Sequence, residues 1–181
     1  MPTYSIWLEP TREWFVPAVR FIGREAKHST KAPFFTPHVT LVGGFSCKDD
    51  AEAQHEFDKA WRRVRGCVSS NLVPDVVECG TKRHQCVYMK MKKTTELVKA
   101  FEAAHEAMGL KGDVNAFMPH MSLAYGVDDE EERERIAKRA TEEFRESHQA
   151  LWLDVISLWE TDVSDDSCDS WRLVVSHSMK M

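Results

Sequence analysis

No stretch of this 181-residue chain approaches the ~20 consecutive apolar residues that cross a bilayer. The opening MPTYSIWLEP lacks a basic segment followed by an apolar run, so no export signal or membrane anchor is expected. Its five cysteines, Cys47, Cys67, Cys79, Cys86 and Cys168, are odd in number and include no C-x-x-C spacing, which argues against a zinc ribbon or a complete disulfide framework. Reduced thiols and a cytoplasmic location are the expectation. Nor is there an excess of positive charge: 24 basic against 29 acidic residues leave a net charge of −5, too acidic for a protein that grips long nucleic acid through many phosphates. There is no G-x-x-x-x-G-K-[ST] loop, no G-x-G-x-x-G fingerprint and no G-x-S-x-G elbow. His55-Glu56 and His105-Glu106 lack a second histidine four residues after the first, so neither forms an H-E-x-x-H zinc site. No metal and no cofactor is therefore expected.

What is present is a folded chain. Hydrophobic residues make up 43 % and aromatics 10 %, enough for a packed core, and no linker or low-complexity segment divides residues 1–181. The patterning predicts strands over Tyr4–Leu8, His38–Phe45, Val73–Cys79, Gln85–Lys92, His120–Tyr125, Leu151–Glu160 and Trp171–His177. It predicts helices around Trp14–Ala26, over Asp49–Val64, from Thr94 or Thr95 to Met108, and over Asp128–His148, with Gly43-Gly44 as a bulge. The order βαβαββαβαββ, with a hairpin in the middle, predicts an α+β fold with antiparallel or mixed pairing. Lys82, Arg83, Lys90, Lys92 and Lys93 form a basic stretch whose simplest reading is a solvated face, with a local positive pocket as the alternative.

One phrase occurs twice: Phe35-Thr36-Pro37-His38-Val39-Thr40-Leu41 and Phe117-Met118-Pro119-His120-Met121-Ser122-Leu123. On a strand, residues two apart share a face, so His38 with Thr40, and His120 with Ser122, each set an imidazole beside a hydroxyl. Val39, Leu41, Met121 and Leu123 then face a core. Two imidazoles with ordinary pKa values near 6.5 can divide the work of proton transfer on a phosphodiester, one accepting from water and the other donating to the departing oxygen. The hydroxyls would bind phosphoryl oxygens. The sequence does not rank the two rings; His120 as base and His38 as acid is the working expectation. His28, His148 and His177 carry no motif and read as surface or packing residues, and Cys79 and Cys86 read as core.

With these paired H-x-[ST] phrases the chain resembles the two-histidine (2H) phosphoesterase superfamily, and more narrowly its plant and fungal cyclic phosphodiesterases. Tyr4-Ser5-Ile6-Trp7, Gln85-Cys86-Val87 ahead of Thr94-Thr95, Tyr125 and Ser170-Trp171 extend the likeness nearly from end to end. The resemblance implies a bilobal fold of two antiparallel sheets around a water-filled cleft, with helices outside. It implies hydrolysis of ADP-ribose 1″,2″-cyclic phosphate and of nucleoside 2′,3′-cyclic phosphates, species left by tRNA splicing, by a monomer. His38 and His120 would be the acid and base, with Thr40, Ser122 and Tyr125 holding the phosphate. Trp7 would stack on the base or ribose. His84 stands where relatives carry an aromatic, which puts that part of the base site in question. Competing readings are a 2′,5′-RNA ligase-like or RNA 3′-end processing enzyme, disfavoured by the acidic balance, and a degenerate nucleotide-binding domain, disfavoured by the intact His, Thr and Ser.

Overall fold

A computed structural model describes residues 1–28, 32–67, 71–145 and 151–179. In chain order these form β1 (Thr3–Pro10), α1 (Arg12–His28), β2 (Val39–Ser46), α2 (Asp50–Val64), β3 (Asn71–Leu72), β4 (Pro74–Lys82), β5 (Gln85–Met91), α3 (Thr95–Ala107), β6 (His120–Ala124), α4 (Glu130–Glu143), β7 (Leu151–Glu160) and β8 (Arg172–Ser178). The expected α+β architecture is present, with every strand pairing antiparallel.

Local chemistry sets the helix starts. Asp49 accepts from the Glu52 amide at 2.9 Å, Thr94 from Leu97 at 3.3 Å and Asp129 from Glu132 at 2.7 Å, each satisfying an amide that the first turn leaves without a partner. The Gly43-Gly44 bulge lies where the β1–β2 register shifts between Tyr4 and Ile6, and Gly44 takes a left-handed φ of 70° that glycine adopts without strain. Two boundaries differ from the sequence pattern. β3 is two residues long, too short to leave a periodic signal, and α4 stops at Glu143, where the Phe144 amide closes the last turn. His148 lies outside the described residues.

The two sheets expected are instead joined. The strand order β3-β7-β1-β2-β6-β5-β4, with β8 also on β7, makes one eight-stranded sheet. Its two halves meet at a single pairing, Val39 with Met121, between the strands that carry the repeated phrases. The helices exchange halves: α1 packs on β6 as well as β1, and α3 reaches back to β2. Val39, Leu41, Met121 and Leu123 all fall in one continuous apolar core that spans both halves. Inward residues of β2 and β6 thereby fix which residues face out, and those are the histidines and hydroxyls. Cys86 is buried as expected, whereas Cys79 is exposed, on the edge strand β4.

Candidate active site

Extending the antiparallel register from Val39–Met121 sets His38 across from Ser122 and Thr40 across from His120. Each imidazole therefore has one hydroxyl two residues along its own strand and another across the join. All four side chains line one cleft of about 460 Å³.

The phrase repeats in structure as well as in sequence. Nδ1 of His38 donates to the Thr36 carbonyl at 2.6 Å, and Nδ1 of His120 donates to the Met118 carbonyl at 2.9 Å. In both copies the acceptor belongs to the residue before proline, which the ring restricts to an extended backbone. A carbonyl can only accept, so Nδ1 carries the hydrogen and Nε2 is left to take or give a proton.

The surroundings of the two rings differ. His38 is 5 % exposed and lies flat on Trp7, centroids 3.5 Å apart and planes 6° from parallel, with Phe35 edge-on. His120 is half-buried and meets Tyr88 edge-on at 5.1 Å. Burial lowers both pKa values against the backbone bonds that favour the charged rings, that of His38 to about 3 with a further push from the His120 charge. Both shifts favour the neutral rings, and an opposite charge beside them would favour the charged forms.

Trp7 does not offer the free face expected for stacking on a base. It is 2 % exposed and stacks on Trp159 at 4.7 Å as well as on His38. Trp159 is tied in turn, its Nε1 donating to the Glu9 carboxylate at 3.1 Å, and Ser157 donates to the same carboxylate oxygen. Alternation along β1 puts Glu9 on the face of Trp7; that spacing was the available sequence signal for this support.

Tyr125 lines the cleft but is 3 % exposed, stacked on Phe35 at 3.7 Å, and burial raises its pKa far above the ordinary phenol value. His84 packs edge-on against Tyr125 at 5.1 Å and near Trp171 at 5.7 Å. Burial, then the Arg83 charge, keeps its ring neutral, so it serves as an aromatic plate in this wall. Its backbone carbonyl accepts from the Ser122 hydroxyl at 3.3 Å.

Several lining groups carry no site role in the sequence reading, although Lys82 and Arg83 appear there in the alternative of a local positive pocket. Lys82, Arg83 and Gln85 enter from the β4–β5 turn, and Ser5 and Thr161, whose hydroxyls are 2.9 Å apart, close another side. The basic stretch therefore divides: Lys82 and Arg83 line the cleft, while Lys90 pairs with Glu78 and Lys93 donates to the Val114 carbonyl. Among the described residues there is no group of three or more His, Cys, Asp or Glu arranged to hold a metal ion.

Comparison with known proteins agrees with this geometry. A family described as cyclic phosphodiesterase-like protein matches residues 1–179. A cyclic phosphodiesterase of Arabidopsis thaliana is 28 % identical over 173 residues, 94 % of this chain and 92 % of that protein. Among solved structures, apo LigT of Escherichia coli superposes with a TM-score of 0.53 at 11 % identity, covering 98 % of this chain and 96 % of LigT. LigT complexed with 3′-AMP gives 0.51 at 9 % identity over 99 % and 98 % of the two chains. LigT complexed with ATP gives 0.52 at 9 % identity over 98 % and 97 %. At such identities these structures show the shared fold alone. The family match over nearly the whole length shows more: the chain belongs to the cyclic phosphodiesterase-like proteins, within the two-histidine phosphoesterases, and is a phosphodiesterase of cyclic phosphates.

Proposed function

We propose that the enzyme opens ADP-ribose 1″,2″-cyclic phosphate to ADP-ribose 1″-phosphate, and nucleoside 2′,3′-cyclic phosphates to 2′-phosphates, without a metal. The observation that carries this reading is the convergence of two imidazoles, each with Nε2 unencumbered and a hydroxyl alongside, on one cleft. In the proposed reaction a water oxygen bonds to phosphorus as one Nε2 takes its proton. The phosphorus bond to the 2″ or 3′ oxygen breaks opposite it, and the other Nε2–H protonates that oxygen. Thr40 and Ser122 hold the non-bridging oxygens, and Tyr125 backs Ser122.

Burial favours the reverse of the roles expected from sequence. His38, the more buried ring and the one with the lower pKa, acts as the neutral base; His120, less enclosed, holds the proton and acts as the acid. The LigT complexes with 3′-AMP and ATP support a small nucleotide as occupant. A cytoplasmic monomer acting on cyclic phosphates left by tRNA splicing completes the reading.

Incubation with ADP-ribose 1″,2″-cyclic phosphate and with 2′,3′-cyclic AMP in excess EDTA, followed by phosphorus NMR, tests it. Both rings open to the stated single isomers at an undiminished rate. Loss of turnover in EDTA, restored by a divalent cation, would refute the metal-free scheme.

A further inference from the structure

Behind His38 stands a stack of rings that ends on a carboxylate. β2 and β7 flank β1, so Trp7 receives the His38 imidazole from one strand and the Trp159 indole from the other. The imidazole lies 3.5 Å from Trp7 at 6°, and Trp159 lies 4.7 Å from Trp7 at 24°. In the β1–β7 register Trp159 sits opposite Ser5 and Glu9 opposite Val155, so the outer indole runs diagonally along the flank of Trp7 to reach Glu9. There its Nε1 donates to the Glu9 carboxylate at 3.1 Å and to the Ser157 hydroxyl at 3.0 Å, and that hydroxyl donates to the same carboxylate oxygen. Glu9, Ser157 and Trp159 are not among the residues that line the cleft, so none of them meets the phosphate.

Packing alone does not call for this triangle. Apolar side chains at the same positions would fill the space without taking a carboxylate and a hydroxyl partly or wholly out of water. What gains from a pinned indole is the imidazole at the other end of the stack. The Nδ1 bond to the Thr36 carbonyl fixes one atom of the His38 ring, and the second torsion of a histidine is broad. The flat contact with Trp7 fixes the plane. When the ring takes a proton, the indole face beneath it also favours the charged form.

We propose that Glu9 is a positioning residue for His38, acting through Trp159 and Trp7: the carboxylate locks the outer indole, the outer indole holds Trp7, and Trp7 keeps the imidazole in the plane that aims Nε2 into the cleft. The inference rests on the proposed function for what His38 does there, and it adds the part that keeps the ring in place. A reacting group displaced by about 1 Å can lose a hundredfold in rate, so a ring loosened by a fraction of that loses about tenfold.

The test is steady-state hydrolysis of 2′,3′-cyclic AMP by wild type, Glu9→Ala, Glu9→Gln, Trp159→Phe and the double variant, with the His38 ring protons followed by NMR. Glu9→Ala leaves the indole N–H its bond to Ser157, so the variant folds, which circular dichroism checks. Its kcat falls about tenfold while KM holds, because a loosened ring weakens proton transfer rather than binding. Glu9→Gln, whose amide oxygen still accepts from Nε1, restores most of kcat. Trp159→Phe keeps a ring but loses the N–H and matches Glu9→Ala, and the double variant loses no more than either single one. The His38 protons, shifted upfield by Trp7 in wild type, move downfield in Glu9→Ala. Wild-type kcat in Glu9→Ala, no recovery in Glu9→Gln, or losses that multiply in the double variant overturn the positioning role while the proposed function stands. If wild type opens no cyclic phosphate, that function is refuted instead; ring shifts that follow Glu9 then uphold the support of His38, and unchanged shifts overturn it.

Discussion

The two copies of the histidine phrase hold the same backbone bond in different company. His38 lies against an indole that is itself stacked on Trp159 and anchored through Glu9, whereas His120 touches one phenol edge and is partly open. The phrase supplies the tautomer and the aim of Nε2 in both cases. Neighbouring strands supply the rest: β1 brings Trp7 to His38, and β5 brings Tyr88 to His120. A repeated motif thus yields two unlike titrating groups, which is what a reaction needing one acid and one base demands.

The largest expected effect comes from removing either ring. His38→Ala and His120→Ala should each lower kcat by about 10²- to 10⁴-fold, the usual value of a positioned proton transfer, with circular dichroism unchanged. The asymmetry sharpens with a substrate whose departing oxygen is replaced by sulfur, which leaves without being protonated. It should restore much of the rate to His120→Ala and little to His38→Ala. Rescue of His38→Ala instead would reverse the assignment, and wild-type rates in both alanine variants would remove the histidines from the chemistry altogether.

Next is the indole under His38. Trp7→Ala opens a cavity beneath a buried ring and should cost about 3–5 kcal/mol in urea unfolding. Trp7→Phe should keep part of the stack and lose less. If the indole only stacked on a ligand base, as the family resemblance implies, Trp7→Ala would weaken nucleotide binding without this loss of stability. Smaller again are the hydroxyls: Thr40→Ala and Ser122→Ala should each lower kcat/KM about tenfold, the value of one hydrogen bond to a charged oxygen. Ser122, already engaged with the His84 carbonyl, should give the lesser loss. A larger loss at Ser122 would break that ordering.

The divide between what was readable in the sequence and what was not follows from range. The strand phrases, the capping residues Asp49 and Thr94 and the Gly43-Gly44 bulge are local, written within a few residues, and each is found where its chemistry predicts. The pairing of His38 with His120 was legible because the phrase recurs. The joining of the halves at Val39–Met121 was not, since no local pattern encodes which edges meet. Trp7 has two readings in the sequence, a ligand-stacking indole or a core tryptophan, for the same reason: which one holds depends on what β7 lays beside it, here Trp159. The basic stretch reads in sequence as a solvated face or a local positive pocket, and only the fold divides it, with Lys82 exposed yet at the cleft and Lys90 paired to Glu78.

The difference between the rings should also appear in stability against pH. His38 has a folded-state pKa lowered to about 3 by burial, far below the ~6.5 of an unfolded histidine, and His120 is lowered for the same reason. Below about pH 6.5 the unfolded chain binds protons that the folded one refuses, so stability falls as the pH falls, with each ring contributing at most about 1.4 kcal/mol per pH unit. The carboxylates lowered by ion pairs, such as Asp50 and Glu132, act only nearer their own range, so the interval between about pH 6.5 and 5 isolates the histidines. Urea unfolding across that interval should show a steep slope for wild type. His38→Phe should flatten it more than His120→Phe, because the more enclosed ring stays neutral over the whole interval. Equal flattening would mean that the two sites bury charge alike, and the indole beneath His38 would then account for none of their difference.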